Sequence, residues 1–423
     1  MSRRMLPLGL GTLAIVAAAC ETPAPPPPPP PTRLVLADSV DHFDALAREA
    51  MVVQHPGGAL FVSGYGDTLP HLWTSTDNGA SWQAVAVGTL PGAAGNSDVD
   101  LAVGPEGTLY LMTMVFNRAT LEGASMQVAV SHDTGATWTW HQLSKTRFDD
   151  RPWIEVAPDG VAHAIWNDGA GVAHAISADR GRTWHEQERV FSVGGSSHLA
   201  IGPRGEIAVR GVPISASGNA FNAGADSIAI STDQGRTWQR HAAPGSREWF
   251  PMRDTTVTPP TWGMPAQPRW VEPIAWDSTG ALYSFWASGP SLMLARSTDQ
   301  GATWSTWKVA EAAATPYFPY LIARGNGELA ASWFTGAADS LRANVARIQV
   351  AADTSALRVA SAQSFQTESF GMAAFEQPPT RDTGGEYLAL VFLRDGTLGI
   401  VSPIQNGAAG RTGFAWRRYR SKR

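Results

Sequence analysis

From residue 33 onward the chain is written in short apolar or alternating runs, each closed by Gly, Asp, Ser or Pro. Typical runs are "RLVLAD" (33–38), "MQVAV" (126–130), "SIAI" (227–230) and "EYLALVF" (386–392). Period-two alternation over four to eight residues, bounded by turn formers, predicts β-strands. One stretch, "HFDALAREA" (42–50), reads instead as a short helix.

The turns repeat as regularly as the strands. An eight-residue phrase recurs as "STDNGASW" (75–82), "SHDTGATW" (131–138), "SADRGRTW" (177–184), "STDQGRTW" (231–238) and "STDQGATW" (297–304). Each copy lies between two strand-like runs, so it is a hairpin turn. Asp can accept backbone N–H groups of its own turn, Gly supplies positive φ, and Ser or Thr adds hydroxyl bonds. The closing Trp can bury its ring against the neighbouring unit. A second turn accompanies the first, as in "HPGGALF" (55–61), "GPEGTLY" (104–110) and "DSTGALY" (277–283). From Gly58 to Asp77, Gly160 to Asp179 and Gly280 to Asp299 the offset is 19 residues each time. The phrase aspartates lie 56, 46, 54 and 66 residues apart, the size of a four-stranded propeller blade.

The predicted fold is therefore all-β: a β-propeller of four-stranded antiparallel blades, with seven blades favoured over six. Five units are complete. A sixth spans about 321–360 without the eight-residue phrase, and a seventh uses 386–401 and 406–416, where "NGAAGRTGFAW" reads as an eroded copy. "RLVLAD" is expected to complete the last blade and remove its exposed edge.

The first residues follow a different logic. Arg3 and Arg4 precede a short apolar stretch and then "VAAAC", a secretory layout too short to span a bilayer. Cys20 is the single cysteine of 423 residues, so disulfides and thiolate metal clusters are excluded. "VAAAC" resembles the bacterial lipobox, which implies cleavage before Cys20 and acylation of its thiol. Pro25 to Pro31 then form a stiff polyproline spacer of roughly 20 Å. The expected organisation is a lipoprotein signal peptide (1–19), a lipid-anchored Pro-rich stalk (20–32) and the propeller (33–423). A net charge of −5 gives no basic footprint for nucleic acid.

The Ser-x-Asp-x-Gly-x-Thr-Trp turns resemble the Asp boxes, or BNR repeats, of the sialidase superfamily, over most of the chain from about residue 45. The resemblance implies that the boxes are structural and lie opposite the active face, where the loops into the inner strands meet those between second and third strands. It also implies a set of residues. Arg48, ten residues before Gly58, matches the position of the family's first arginine, although the Phe, Ile and Pro of its motif are missing. Asp67 in "GYGD" matches the acid, Glu272 in "VEPIAW" the activating glutamate, and Tyr320 in "PYLIAR" the nucleophile. Three arginines would clamp a sugar carboxylate, because guanidinium offers bidentate, permanent charge. No arginine follows the glutamate at 285–288, so Arg151, Arg118, Arg210 and Arg269 are the substitutes in prospect. The long segment 241–273 adds Trp249, Trp262 and Trp270, flat rings suited to sugar faces.

Taken together, the sequence points to a lipid-anchored, extracytoplasmic, sialidase-like propeller in the bacterial envelope, at the outer membrane or cell surface, engaging extracellular glycan at its channel mouth. Two alternatives stay open: an active exo-α-sialidase or related retaining glycosidase, and an envelope assembly scaffold. A monomer without cofactor is expected, with Asp98, Asp100, Asp149 and Asp150 supplying oxygens suited to a structural calcium ion.

Overall fold

A computed structural model of the chain describes residues 33–66, 69–90, 96–117, 120, 122–212, 224–245, 248–249, 272–312, 316–337, 340–351, 357–359, 363–367, 387–406 and 410–422. Strand β1 (Arg33–Phe43) comes first and belongs to the last blade. Blade 1 is β2 (Arg48–Gln54), β3 (Leu60–Tyr65), β4 (Pro70–Ser75) and β5 (Gln83–Ala84). Blade 2 is β6 (Ser97–Val103), β7 (Leu109–Asn117), β8 (Glu122–Ser131) and β9 (Thr139–Ser144). Blade 3 follows with β10 (Asp150–Val156), β11 (Ala162–Asn167), β12 (Val172–Ser177) and β13 (His185–Glu186). Blade 4 is β14 (Gly195–Ile201), β15 (Ile207–Val212), β17 (Ser227–Ser231) and β18 (Gln239–Ala242), with β16 (Gly224–Ala225) and β19 (Glu248–Trp249) paired beside it. Blade 5 is β20 (Ile274–Trp276), β21 (Leu282–Ser288), β22 (Ser291–Ser297) and β23 (Ser305–Glu311). Blade 6 is β24 (Tyr317–Arg324), β25 (Glu328–Ala337), β26 (Ser340–Val350) and β27 (Leu357–Val359), and β28 (Gln363–Thr367) also pairs with β26. Blade 7 is β29 (Leu390–Phe392), β30 (Leu398–Asn406), β31 (Arg411–Lys422) and, on its outer edge, β1.

Seven antiparallel blades thus form the ring, and the N-terminal strand closes it as expected. Two readings change. Residues 42–50 hold the end of β1 and the start of β2 rather than a helix, because their apolar positions are taken up by sheets on both sides. The 406–411 segment joins the second and third strands of blade 7; its fourth strand arrives from the other end of the chain, leaving no place for a box.

Strand composition follows position in the blade. Second strands are covered by blades on both faces, so β3 and β15 are buried along their whole length. Outer strands such as β5 and β13 are short and exposed. Each box is fixed by the same bonds. In blade 4 the Ser231 hydroxyl donates to Asp233 Oδ1 at 2.8 Å, while Thr237 donates its N–H to Oδ1 at 2.9 Å and its hydroxyl to Oδ2 at 2.7 Å. Box tryptophans cross to the preceding blade: Trp82 stands edge-on to Phe414 and Trp416 of blade 7, with centroids 5.1 and 5.6 Å apart.

Candidate functional site

Strand direction alternates within a blade, so the boxes and the first-to-second-strand turns share one face. The mouth of the channel is the opposite face, where each innermost strand begins. Those beginnings are irregular. The pairing register shifts at Arg48/Met51, Ser97/Val99, Asp150/Trp153, Ser196/His198 and Tyr317/Tyr320, so five innermost strands carry a β-bulge near the mouth. Nine described non-glycine residues have left-handed backbone. Five sit in the boxes, and the other four are Glu49, Asp98, Arg151 and Phe318, one in each of four bulges. Such conformations cost about 1–3 kcal/mol each and cluster where function needs them.

The bulges turn polar groups inward. Arg48 is buried and donates through Nε to the Tyr65 hydroxyl at 3.2 Å. Burial, and then the Glu49 charge, push the Tyr65 phenol above its ordinary range. Arg151 lies 3.8 Å from Asp150, whereas Asp149 accepts from Ser144 and Thr146 and pins the loop before β10. Asn96, just before β6, is 2% exposed, and neither its amide oxygen nor its nitrogen has a partner among the described residues.

Below the mouth, rings from four blades meet. Trp153 of β10 stands 4.8 Å from His198 of β14 and 5.2 Å from Tyr387, which precedes β29; His198 is 5.6 Å from Tyr320 of β24. Blades 3, 4, 6 and 7 touch one another here across the axis, so these rings form a floor within the channel. The Trp153 indole N–H has no acceptor among the described residues, and burial holds His198 neutral, with its pKa lowered to about 3.

Two carboxylates accompany the floor. Asp100 accepts the N–H of Leu101 and of Ile154, stapling β6 to β10, yet burial pushes its carboxyl up to about 7. Glu155, two residues beyond Trp153 on β10, is exposed to water, yet the surrounding protein, and then the Asp100 charge, raise its carboxyl. Burial followed by the Asp100 and Glu155 charges push the Tyr320 phenol above its ordinary range. No group of three or more acidic or imidazole side chains placed to hold a metal ion occurs among the described residues.

A separate charged cluster lies between blades 4 and 5. Arg210, fully buried on β15, pairs with Asp226 at 2.8 Å and with Glu272, and donates to the Ser284 hydroxyl of β21 at 2.9 Å. Glu272 therefore faces Arg210, while the carboxylates acting on Tyr320 are Asp100 and Glu155. Asp67, Arg118, Arg269, Trp262, Trp270 and Cys20, together with the side chain of Trp249, lie outside the described residues. Sequence reasoning passed over Glu155, Asp226 and Tyr387. A lone glutamate inside the apolar run "WIEV" was a usable signal for the first; nothing local marked the other two.

Fold and turn chemistry together define a seven-bladed β-propeller built on Asp boxes, and the BNR/Asp-box repeat family matches residues 229–240. No curated protein sequence matches the chain significantly. Among solved structures, an ulvan lyase of polysaccharide lyase family PL25, bound to a GlcA(1-4)Rha3S fragment, is similar with a TM-score of 0.51. It is 12% identical, and the match covers 90% of this chain and 95% of the lyase. A protein of unknown function from Dyadobacter fermentans gives 0.50 at 15% identity, over 92% and 99% of the two chains. A Hadza microbial sialidase gives 0.45 at 16% identity; the match covers 68% of this chain and spans 63% of the sialidase's length.

Proposed function

We propose that this propeller binds an acidic glycan at the channel mouth, over the aromatic floor, and that a lipid on Cys20 holds it outside the cytoplasm. The observation that carries the reading is Asn96: a buried amide with no partner among the described residues, at the mouth, beside bulged strands bearing Arg48 and Arg151. A buried polar group without a partner is costly, and a ligand hydroxyl or carboxylate would satisfy it. The unpaired Trp153 N–H adds a donor at the floor, where rings offer flat apolar surface to a sugar. Known sialidase and polysaccharide lyase propellers of similar fold are consistent with carbohydrate as the ligand class.

Binding is favoured over hydrolysis by the placement of Glu272: the glutamate that the family resemblance would have activate Tyr320 is paired with the Arg210 guanidinium, which also holds Asp226.

The test is titration of residues 32–423 with uronic-acid and sialic-acid oligosaccharides, beside neutral ones, for the native sequence and Asn96→Leu. The substitution should weaken binding by roughly tenfold or more while leaving stability equal or higher, since it removes an unsatisfied buried amide. Unchanged affinity would remove Asn96 from the site. Release of a fluorescent leaving group from an α-sialoside, abolished by Tyr320→Phe, would replace binding with hydrolysis.

A further inference from the structure

The chain enters the ring through β1, and strand register fixes the face. Leu398 pairs with Tyr419, and Arg33 pairs with Lys422, so Arg33 lies beyond the end of β30 that adjoins the β29–β30 turn. That turn is on the box face. Arg33, where the described chain begins, therefore lies on the face opposite the mouth.

Charge is uneven at this rim. Between Arg411 and Lys422 there are five Arg or Lys and no Asp or Glu, in a chain whose net charge is −5. The nearby carboxylates are already engaged: Asp41 by Arg417 at 2.6 Å, and Asp38 and Asp395 by Arg418, the latter at 3.1 Å. Arg33, Arg394, Arg420 and Lys422 are exposed and form no ion pair among the described residues. Residues two apart on a strand share a face, as do cross-strand partners. Arg420, Lys422 and Arg33 consequently point the same way, and Arg394 sits in the turn beside Asp395, whose carboxylate reaches Arg418.

We propose that the box-face rim of blade 7, carrying Arg33, Arg394, Arg420 and Lys422, docks on an anionic phospholipid surface and leaves the channel mouth facing away from it. Four exposed cations without an ion pair among the described residues suit a sheet of headgroup phosphates, and one of them, Arg33, directly follows in sequence the stretch read as anchor and stalk. Docking would convert a tether that permits any orientation into one that presents the mouth outward. The inference rests on the anchored reading of residues 1–32 and is independent of which glycan the mouth takes.

The unit 32–423 contains the complete closed ring and no cysteine, so its vesicle binding reads the rim without acylation. It should co-sediment with phosphatidylglycerol–phosphatidylcholine vesicles at low salt, release at high salt, and ignore pure phosphatidylcholine. Each cation removed should lower partitioning by about fivefold. Arg420→Glu/Lys422→Glu and, as a second folded test, Arg33→Glu/Arg394→Glu should both lose binding with unchanged circular dichroism. Equal binding to neutral vesicles, or retention by both charge-reversed variants, would overturn the proposal. So would capture by a sulfated polysaccharide but not by vesicles, which would assign the rim to a soluble polyanion. Palmitate incorporation into the full chain, lost in Cys20→Ser, reads the anchor separately.

Discussion

Gly79 shows what one residue of a box is required to do. Its φ of 87° is available to glycine at little cost, and a Cβ there would stand 2.0 Å from Nε1 of Trp416 in the neighbouring blade. Gly79→Ala should therefore combine backbone strain with overpacking and cost roughly 2 kcal/mol or more in a urea unfolding measurement. Loss below about 0.5 kcal/mol would mean the seam between blades 1 and 7 repacks freely. At this scale the boxes were legible in the sequence, because Ser, Asp, Gly and Thr each have a backbone consequence within five residues. The Arg210 cluster was not, since its partners stand 16 and 74 positions away in the chain. The same holds for Glu272: "VEPIAW" located the start of a strand, but the guanidinium it meets comes from another blade.

Between strands of one blade, His163 of β11 and His174 of β12 place Nδ1 and Nε2 3.1 Å apart with both rings fully buried. His174 also packs edge-on against Trp238 and closes on Gly235, both from the box of blade 4. Burial lowers the two pKa values to about 4 and about 3, against an ordinary value of 6.5. Between pH 6.5 and 4 the unfolded chain thus takes up protons that the folded pair refuses, and stability falls as pH falls. The raised carboxyls of Asp100 and Glu155 act oppositely, since their folded forms hold protons that the unfolded chain releases. The comparison that isolates the pair is His163→Leu/His174→Leu, which should lose less stability between pH 6.5 and 5, by up to about 2 kcal/mol for each ring. Parallel pH profiles for variant and native protein would refute this. Strand identity was readable from apolar runs and turns, and so was closure by "RLVLAD". The helix expected at 42–50 failed because a short apolar spacing fits either period, and only the neighbouring sheets decide between them.

On the scale of the whole molecule, the blade count was legible through repeat spacing, but the channel was not. Trp153, His198, Tyr320 and Tyr387 come from four blades and meet only because the ring closes. No periodicity encodes that meeting. Its consequence is a mouth with a floor, opposite the face that carries the box turns, and the claim that this mouth is the ligand face can be tested directly. The measurement is hydrogen–deuterium exchange of residues 32–423 with and without the tightest-binding acidic oligosaccharide. Protection should appear at the bulged strand beginnings 48–51, 97–99, 150–153 and 317–320, with the box turns unchanged. Protection confined to the box turns or the outer strands, with the bulges unaffected, would contradict it.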